Sequence, residues 1–240
     1  LLAQIYLSDN NIDRAIESLD SYLKVQPGDS QALLLLASAH MAQGRYSRAT
    51  QLMQDSLRSQ DSPDLRTMLG ISLVGGGKVS AAVQHLEAAF KKNPSHVHAG
   101  AALVVIYTQV GRAAKAARIA ESVVKLQPGN PGFQNSLGAA RMRGGDLKGA
   151  RTAFEQAVKL DAAFAPSLIN LARIDIAEKS LERAGARLSS VIGRDEKNIE
   201  ALGELGRLAE LRGQAVDAQR WYEKADDAST AGNVEPALAL

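Results

Sequence analysis

Residues 131–164 read PGFQNSLGAARMRGGDLKGARTAFEQAVKLDAAF, and the rest of the chain is built from variations on this stretch. It contains two short amphipathic runs separated by Gly144, Gly145 and Asp146. Glycine after a periodic run stops a helix, and an Asp before the next run starts one. Counted from Pro131, Leu137 and Gly138 stand at positions 7 and 8, and Ala150, Phe154 and Ala157 at positions 20, 24 and 27. Small residues at such spacing let two helices cross closely, and large ones fill the space between crossings.

Carried outward at a period of 34 residues, the pattern recurs at 30–62, 63–96, 97–130, 165–198 and 199–232. Position 7 is Leu in every copy: Leu36, Leu69, Leu103, Leu137, Leu171 and Leu205. Position 20 is always Ala: Ala49, Ala82, Ala116, Ala150, Ala184 and Ala218. The copy at 30–62 is one residue short, residues 1–29 form a partial copy, and 233–240 are a tail or the start of a further one. This pattern resembles the tetratricopeptide repeat, a helix–turn–helix unit of 34 residues. The resemblance implies an all-α fold, a right-handed α-α superhelix (solenoid) of six full repeats after a truncated N-terminal one, running as a single array over 1–240.

The register gives expectations for packing. Position 8 holds Ala37, Gly70, Val104, Gly138, Ala172 and Gly206. Val104 is the largest and is expected to open its crossing slightly. Position 24 holds Met53, Leu86, Phe154, Leu188 and Tyr222, expected to fill the gap to the next copy, with Ala120 the exception, so the copy at 97–130 is expected to be the least regular. Gly44, Gly77, Gly111, Gly145 and Gly213 are expected to end first helices with positive φ; Lys179 stands there in one copy, where the turn should be strained.

Composition suits thin helical layers: 45% hydrophobic, 4% aromatic. The net charge of +2 is too near neutral to mark a nucleic-acid protein. The four Phe, five Tyr and one Trp fall mostly at core positions, leaving no stacking platform for bases. Charge is uneven, however: net −3 over 1–29, +8 over 30–164 and −3 over 199–232. A basic middle either steers an acidic partner or is simply a solvated outer face. Cysteine is absent, which excludes disulfides, thiolate metal sites and Cys nucleophiles. No apolar run is long enough to span a bilayer. The chain opens at Leu1 inside a helical pattern without Met, so it reads as a piece of a longer protein whose targeting signals lie elsewhere.

No catalytic motif emerges, and neither enzyme activity nor a cofactor is expected. Gly75, Gly76, Gly77 and Lys78 imitate a phosphate loop, but Ser72 replaces the leading Gly and Val79 the Ser/Thr. His85, His96 and His98 lack the spacing and the carboxylate of a closed metal site.

In arrays of the resembled family, the first helices line a concave wall that holds a bound peptide. Mapped onto this chain, that wall comprises Leu34, Ser38 and Met41, then Thr67, Ile71 and Val74, then Ala101, Val105 and Thr108. It continues with Asn135, Met142 and Arg143, and ends with Ile169, Arg173 and Arg207. The Lys and Asn clamp of chaperone-adaptor members is missing, since Leu34, Thr67 and Ala101 occupy its position 5. The wall is apolar over three copies, with arginines further along. It is expected to take an apolar or amphipathic protein segment, unless these side chains pack on neighbouring helices. Self-association, through another copy or the tail at 237–240, is the other expected use. Phrases such as LAQIYL (2–7) and KLQPGN (125–130) are similar to those of bacterial PEP-CTERM and exopolysaccharide-system repeat lipoproteins. That likeness implies a scaffold on the periplasmic or membrane-anchored side of the envelope. The alternatives are a cytoplasmic adaptor or co-chaperone, or the accessory domain of an enzyme such as a glycosyltransferase.

Overall fold

The computed structural model describes the backbone of residues 2–234 and side chains through residue 230. The apolar tail at 237–240, a candidate groove occupant by sequence, lies outside the described residues. Those residues form fourteen α-helices and no strand. The first compact unit runs to Leu126 and holds α1 (Leu2–Ser8), α2 (Ile12–Val25), α3 (Ser30–Ala42) and α4 (Tyr46–Ser59). It continues with α5 (Pro63–Gly75), α6 (Val79–Lys92), α7 (Val97–Gln109) and α8 (Ala113–Leu126). The second unit starts at Gln127 and holds α9 (Pro131–Arg143), α10 (Leu147–Leu160) and α11 (Ala165–Ala177). It ends with α12 (Leu181–Ile192), α13 (Ile199–Leu211) and α14 (Ala215–Val234).

Local chemistry explains where the helices begin. Asp29 accepts from the Gln31 and Ala32 amides at 2.9 and 3.0 Å, satisfying two donors that have no partner inside α3. Ser62 does the same for α5 through the Leu65 amide, and Asn130 for α9 through Gly132 and Phe133. Pro63 and Pro131 follow these caps at the first helical position, where a missing N–H costs nothing. The first helices stop by one device. After α5, Lys78 N donates to Leu73 O at 2.8 Å and Gly77 N to Val74 O at 2.9 Å, a closure that requires a left-handed residue. Gly77 supplies it at φ 76°, as do Gly44, Gly111, Gly145 and Gly213 in their turns. After α11 the same two bonds form, Ser180 N to Asp175 O and Lys179 N to Ile176 O. There Lys179 is forced to φ 60°, the strained turn its sequence predicts.

Within each unit, paired helices cross over a small residue. A Cβ on Gly138 would fall 2.5 Å from the Phe154 ring, one on Gly70 2.5 Å from Leu86 Cγ, and one on Gly206 2.4 Å from the Tyr222 ring. The large residue at position 24 therefore packs under the first helix of its own copy. Phe154 also reaches the next copy, sharing a cluster with Leu171 and Ile174, so the expected gap-filling is half of its role. Val104 does not open its crossing: it is 2% exposed and Ala120 opposite it in register is 1% exposed. The small and large residues have exchanged helices there, and the layer stays closed.

Candidate functional site

In the first unit, α3, α5 and α7 lie side by side, α5 touching both neighbours. The candidate wall residues on this face divide by burial. Ile71 and Val105 are 40% and 50% exposed, and they sit on adjacent helices. Leu34, Met41 and Val74 are half-buried against the cluster of Leu33, Leu69 and Leu73. The sequence-based expectation that apolar side chains at these positions stand clear of the core fails for these three. The seam between two first helices buries whatever leans into it. Thr67 is buried outright, its hydroxyl donating to Pro63 O at 2.7 Å. Thr108 is half-buried and bonds its own helix at Val104 O, Ala101 is half-buried, and the Ser38 hydroxyl lies 3.9 Å from Met68 Sδ.

The second unit presents a polar network on its first helices. Asn135 Oδ1 on α9 accepts from Ser167 Oγ and Asn170 Nδ2 of α11 at 3.0 and 3.2 Å. Asn170 Oδ1 accepts from Arg173 Nη1 at 3.1 Å. Arg173 in turn meets two carboxylates of α13, Glu204 at 2.6 Å and Glu200 at 2.8 Å. Burial works against the Arg173 charge, but Glu204 and Glu200 outweigh it and hold the guanidinium more firmly protonated than usual. Arg207 Nε stands 3.0 Å from Glu204 Oε2, an ion pair whose angles are not those of a hydrogen bond. Arg173 and Arg207 are therefore already paired within the chain. Of the three arginines expected as anchors, Arg143 alone is exposed and without an ion pair among the described residues. Met142 is half-buried against the Phe154 cluster, and Ile169 is buried in the core under α12 and α13.

The structure also shows residues that sequence reasoning did not single out. Position 11 of the copies holds His40, Leu73, Tyr107, Arg141, Asp175 and Ala209, a different residue each time. Asp175 is 0% exposed and carries Arg151 of α10 at 2.7 Å and Arg187 of α12 at 2.8 Å. Burial pushes its carboxyl up, but the two guanidinium hydrogen bonds win and hold it below the ordinary value. Arg151 reaches Glu178 as well, at 2.7 Å. Tyr107 is buried, donates to Glu87, and is pushed up to about 12, first by burial and then by that carboxylate. His40 is buried with Nδ1 making no hydrogen bond, and burial, with Arg48 nearby, lowers its pKa. His85 is half-buried with its Nδ1 likewise unbonded and its pKa lowered, by burial and then by Arg66. His96 caps α7 through Nδ1 to the Ala99 amide, so the other nitrogen carries the proton toward Asp64 at 2.8 Å. Among the described residues no group of His, Asp and Glu is placed to hold a metal ion. No described helix is long and apolar enough to cross a membrane.

Known proteins bear on this arrangement. Tetratricopeptide-repeat models match residues 1–64, 73–140 and 199–224. Lipopolysaccharide assembly protein B of Escherichia coli K12 is 24% identical over 98% of this chain. The chain spans 63% of that relative's length. A tetratricopeptide repeat protein from Parabacteroides merdae superposes with a TM-score of 0.76 at 14% identity, over 94% of this chain and 90% of its own. YrrB, described as a tetratricopeptide-repeat protein with an unusual peptide-binding site, gives a TM-score of 0.56 at 20% identity, over 69% of this chain and 86% of its own. With matching repeat models, an all-helical repeat architecture and neighbours of the same solenoid class, the chain belongs to the tetratricopeptide-repeat family of protein-interaction scaffolds.

Proposed function

We propose that this chain is a non-catalytic scaffold of a bacterial envelope assembly that holds an amphipathic protein segment on its first helices. The observation that carries the reading is the exposure of Ile71 and Val105 on the neighbouring helices α5 and α7. Every other large wall side chain of the first unit is at least half-buried, so these two are left for a partner. Half-buried Ser38 and Thr108 stand on the same first helices, α3 and α7. In the second unit, the Asn135–Asn170–Arg173–Glu204 network offers a rigid polar surface, and Arg143 a free cation. An amphipathic segment suits the surface of the first unit, and a polar or acidic segment suits that of the second.

The envelope role is supported by the likeness to an Escherichia coli protein named for lipopolysaccharide assembly. The 2–7 and 125–130 phrases, which resemble those of exopolysaccharide and PEP-CTERM lipoproteins, support the same reading. Binding is tested with an array of amphipathic peptides against the full chain. The double variant Ile71→Ser, Val105→Ser is expected to weaken capture about tenfold and to change folding stability by no more than about 0.5 kcal/mol. Equal capture by variant and parent ends the groove reading. Fractionation of the producing bacterium tests the location: recovery only in the cytosol removes the envelope role.

A further inference from the structure

The turns joining paired helices in the first unit form an edge that the groove reading does not use. Residues 43–48 read QGRYSR, 76–81 GGKVSA and 110–115 VGRAAK, five bases and no acid. The equivalent turns of the second unit, GGDLKG, EKSLER and RGQAVD, each contain an acid. Arg45, Arg48, Lys78 and Arg112 are exposed and form no ion pair among the described residues. Among the carboxylates of this unit, Asp13 accepts from Gln43 at 2.7 Å, and Glu87 accepts from Tyr107 and lies 3.7 Å from Lys115, the fifth base of the edge. Arg66, Arg151, Arg173 and Arg187, by contrast, each find an acid.

Arg45 and Lys78 are the N-cap residues of α4 and α6, and neither gives a capping bond. A cation there opposes the field of the helix, so folding gains nothing from it. Asp146, at the same place in the second unit, caps α10 by accepting from Gly149 N at 2.9 Å. The first two basic turns are also in contact. Tyr46 lies against Gly75 and Gly76, and Ser72 donates to Tyr46 O at 2.9 Å.

We propose that this edge binds an extended acidic polypeptide segment. Packed helices stand about 8–10 Å apart, and a chain extended as polyproline II advances about 3.1 Å per residue with every third side chain on the same face. A segment with a carboxylate at every third residue therefore meets successive bases. An anionic membrane surface fits less well, because Val110 is the one large apolar side chain exposed on these turns. The probe is a fluorescent synthetic peptide with glutamate at every third position, titrated into the full chain at low salt. It is expected to bind, to be released as ionic strength rises, and to lose about tenfold in affinity with the triple variant Arg45→Gln, Lys78→Gln, Arg112→Gln. All three side chains are exposed, and an unchanged far-ultraviolet helix spectrum confirms that the variant folds. The Ile71→Ser, Val105→Ser variant should bind this peptide normally, which separates the edge from the groove. Undiminished binding by the triple variant overturns the proposal. So does equal binding of a peptide with the same glutamates in one block, or binding to phosphatidylglycerol vesicles without binding to the peptide.

Discussion

The helix pairs α7/α8 and α9/α10 solve one packing problem in opposite ways. In α9/α10 the first helix contributes Gly138 and the second Phe154, whose ring occupies the space a Cβ would take. In α7/α8 the register places Val104 where Gly138 stands and Ala120 where Phe154 stands, and both are buried. What is preserved between the copies is the filled volume of the crossing, not the size of either residue. Judged one position at a time, a large Val104 and a small Ala120 each predict an irregular layer at 97–130; reading positions 8 and 24 as a pair removes that expectation.

The comparison is broken most severely by mixing the two solutions. Phe154→Ala alone should cost about 3–5 kcal/mol, because it leaves a cavity between α10, α9 and α11. Gly138→Val alone should overpack the same place and cost about 1–3 kcal/mol. Together the two changes install the α7/α8 pairing in α9/α10, and the double variant should be more stable than the sum of the singles by at least about 1 kcal/mol. Denaturant unfolding of all four proteins completes the cycle. Strict additivity would show that the two positions do not share one volume.

A second difference between the units lies at position 11. Leu73 in the first unit is an ordinary core residue, whereas Asp175 in the second is a buried carboxylate that ties α10 and α12 to α11. Asp175→Ala should leave the Arg151 and Arg187 charges partly buried without their partner. Breaking such a pair from one side costs about 3–5 kcal/mol when both charges are buried. Both arginines are partly exposed, so roughly 2–3 kcal/mol is expected here. Removing Arg187 and Asp175 together, as Arg187→Met, Asp175→Leu, should recover part of that loss. No recovery would mean that Asp175 acts through backbone geometry and not through charge.

These two cases mark what the sequence exposes and what it hides. The turn glycines are legible because each acts within a few residues of chain. The all-helical repeat fold follows from them and from the recurring Leu and Ala. Position 11 is hidden because its residue changes in every copy, and its partners come from helices before and after it. The wall was legible only in part. Ile71 and Val105 are exposed, but Thr67 and Ile169 are buried, since a first helix is flanked on both sides and the neighbours decide what stays open. Arg173 and Arg207 looked like free anchors until Glu200 and Glu204 of α13 were placed beside them.

Buried titratable side chains also separate the units by pH. All four histidines lie in the first unit, and burial lowers the pKa of His40 and of His85. A histidine depressed in the folded state binds its proton more readily once unfolded, so stability falls as pH drops through the ordinary value of 6.5. Asp175 in the second unit has the carboxylate sign: its contribution is present above 3.8 and is lost only as pH falls through its lower folded value. Between about pH 6.5 and 4, amide protection relative to the intrinsic exchange rate at each pH should therefore fall in α3 and α6 and stay level in α11 and α12. His40→Leu, which copies Leu73, should remove the response in α3 and keep the helix folded. Equal loosening of both units would show that the histidines are not the acid-sensitive groups.

The smallest expected effect concerns the turn after α11. Five of the six full copies place Gly at the left-handed position, and the sixth places Lys179 at φ 60°. The hydrogen bonds from Ser180 N and Lys179 N match those around Gly77, so the turn geometry is the same and only the Cβ differs. Holding a residue with a Cβ in that region costs roughly 1–2 kcal/mol. Glycine gives part of this back, about 0.5–1 kcal/mol, through the greater freedom of its unfolded chain. Lys179→Gly should thus stabilise the second unit by a net of about 0.5–1 kcal/mol, read as a higher denaturant midpoint at unchanged slope. Gly145→Lys, the reverse change one copy earlier, should lose a similar amount. If Lys179→Gly is neutral or destabilising, the lysine is held by contacts that outweigh its backbone strain, and the six turns are not interchangeable.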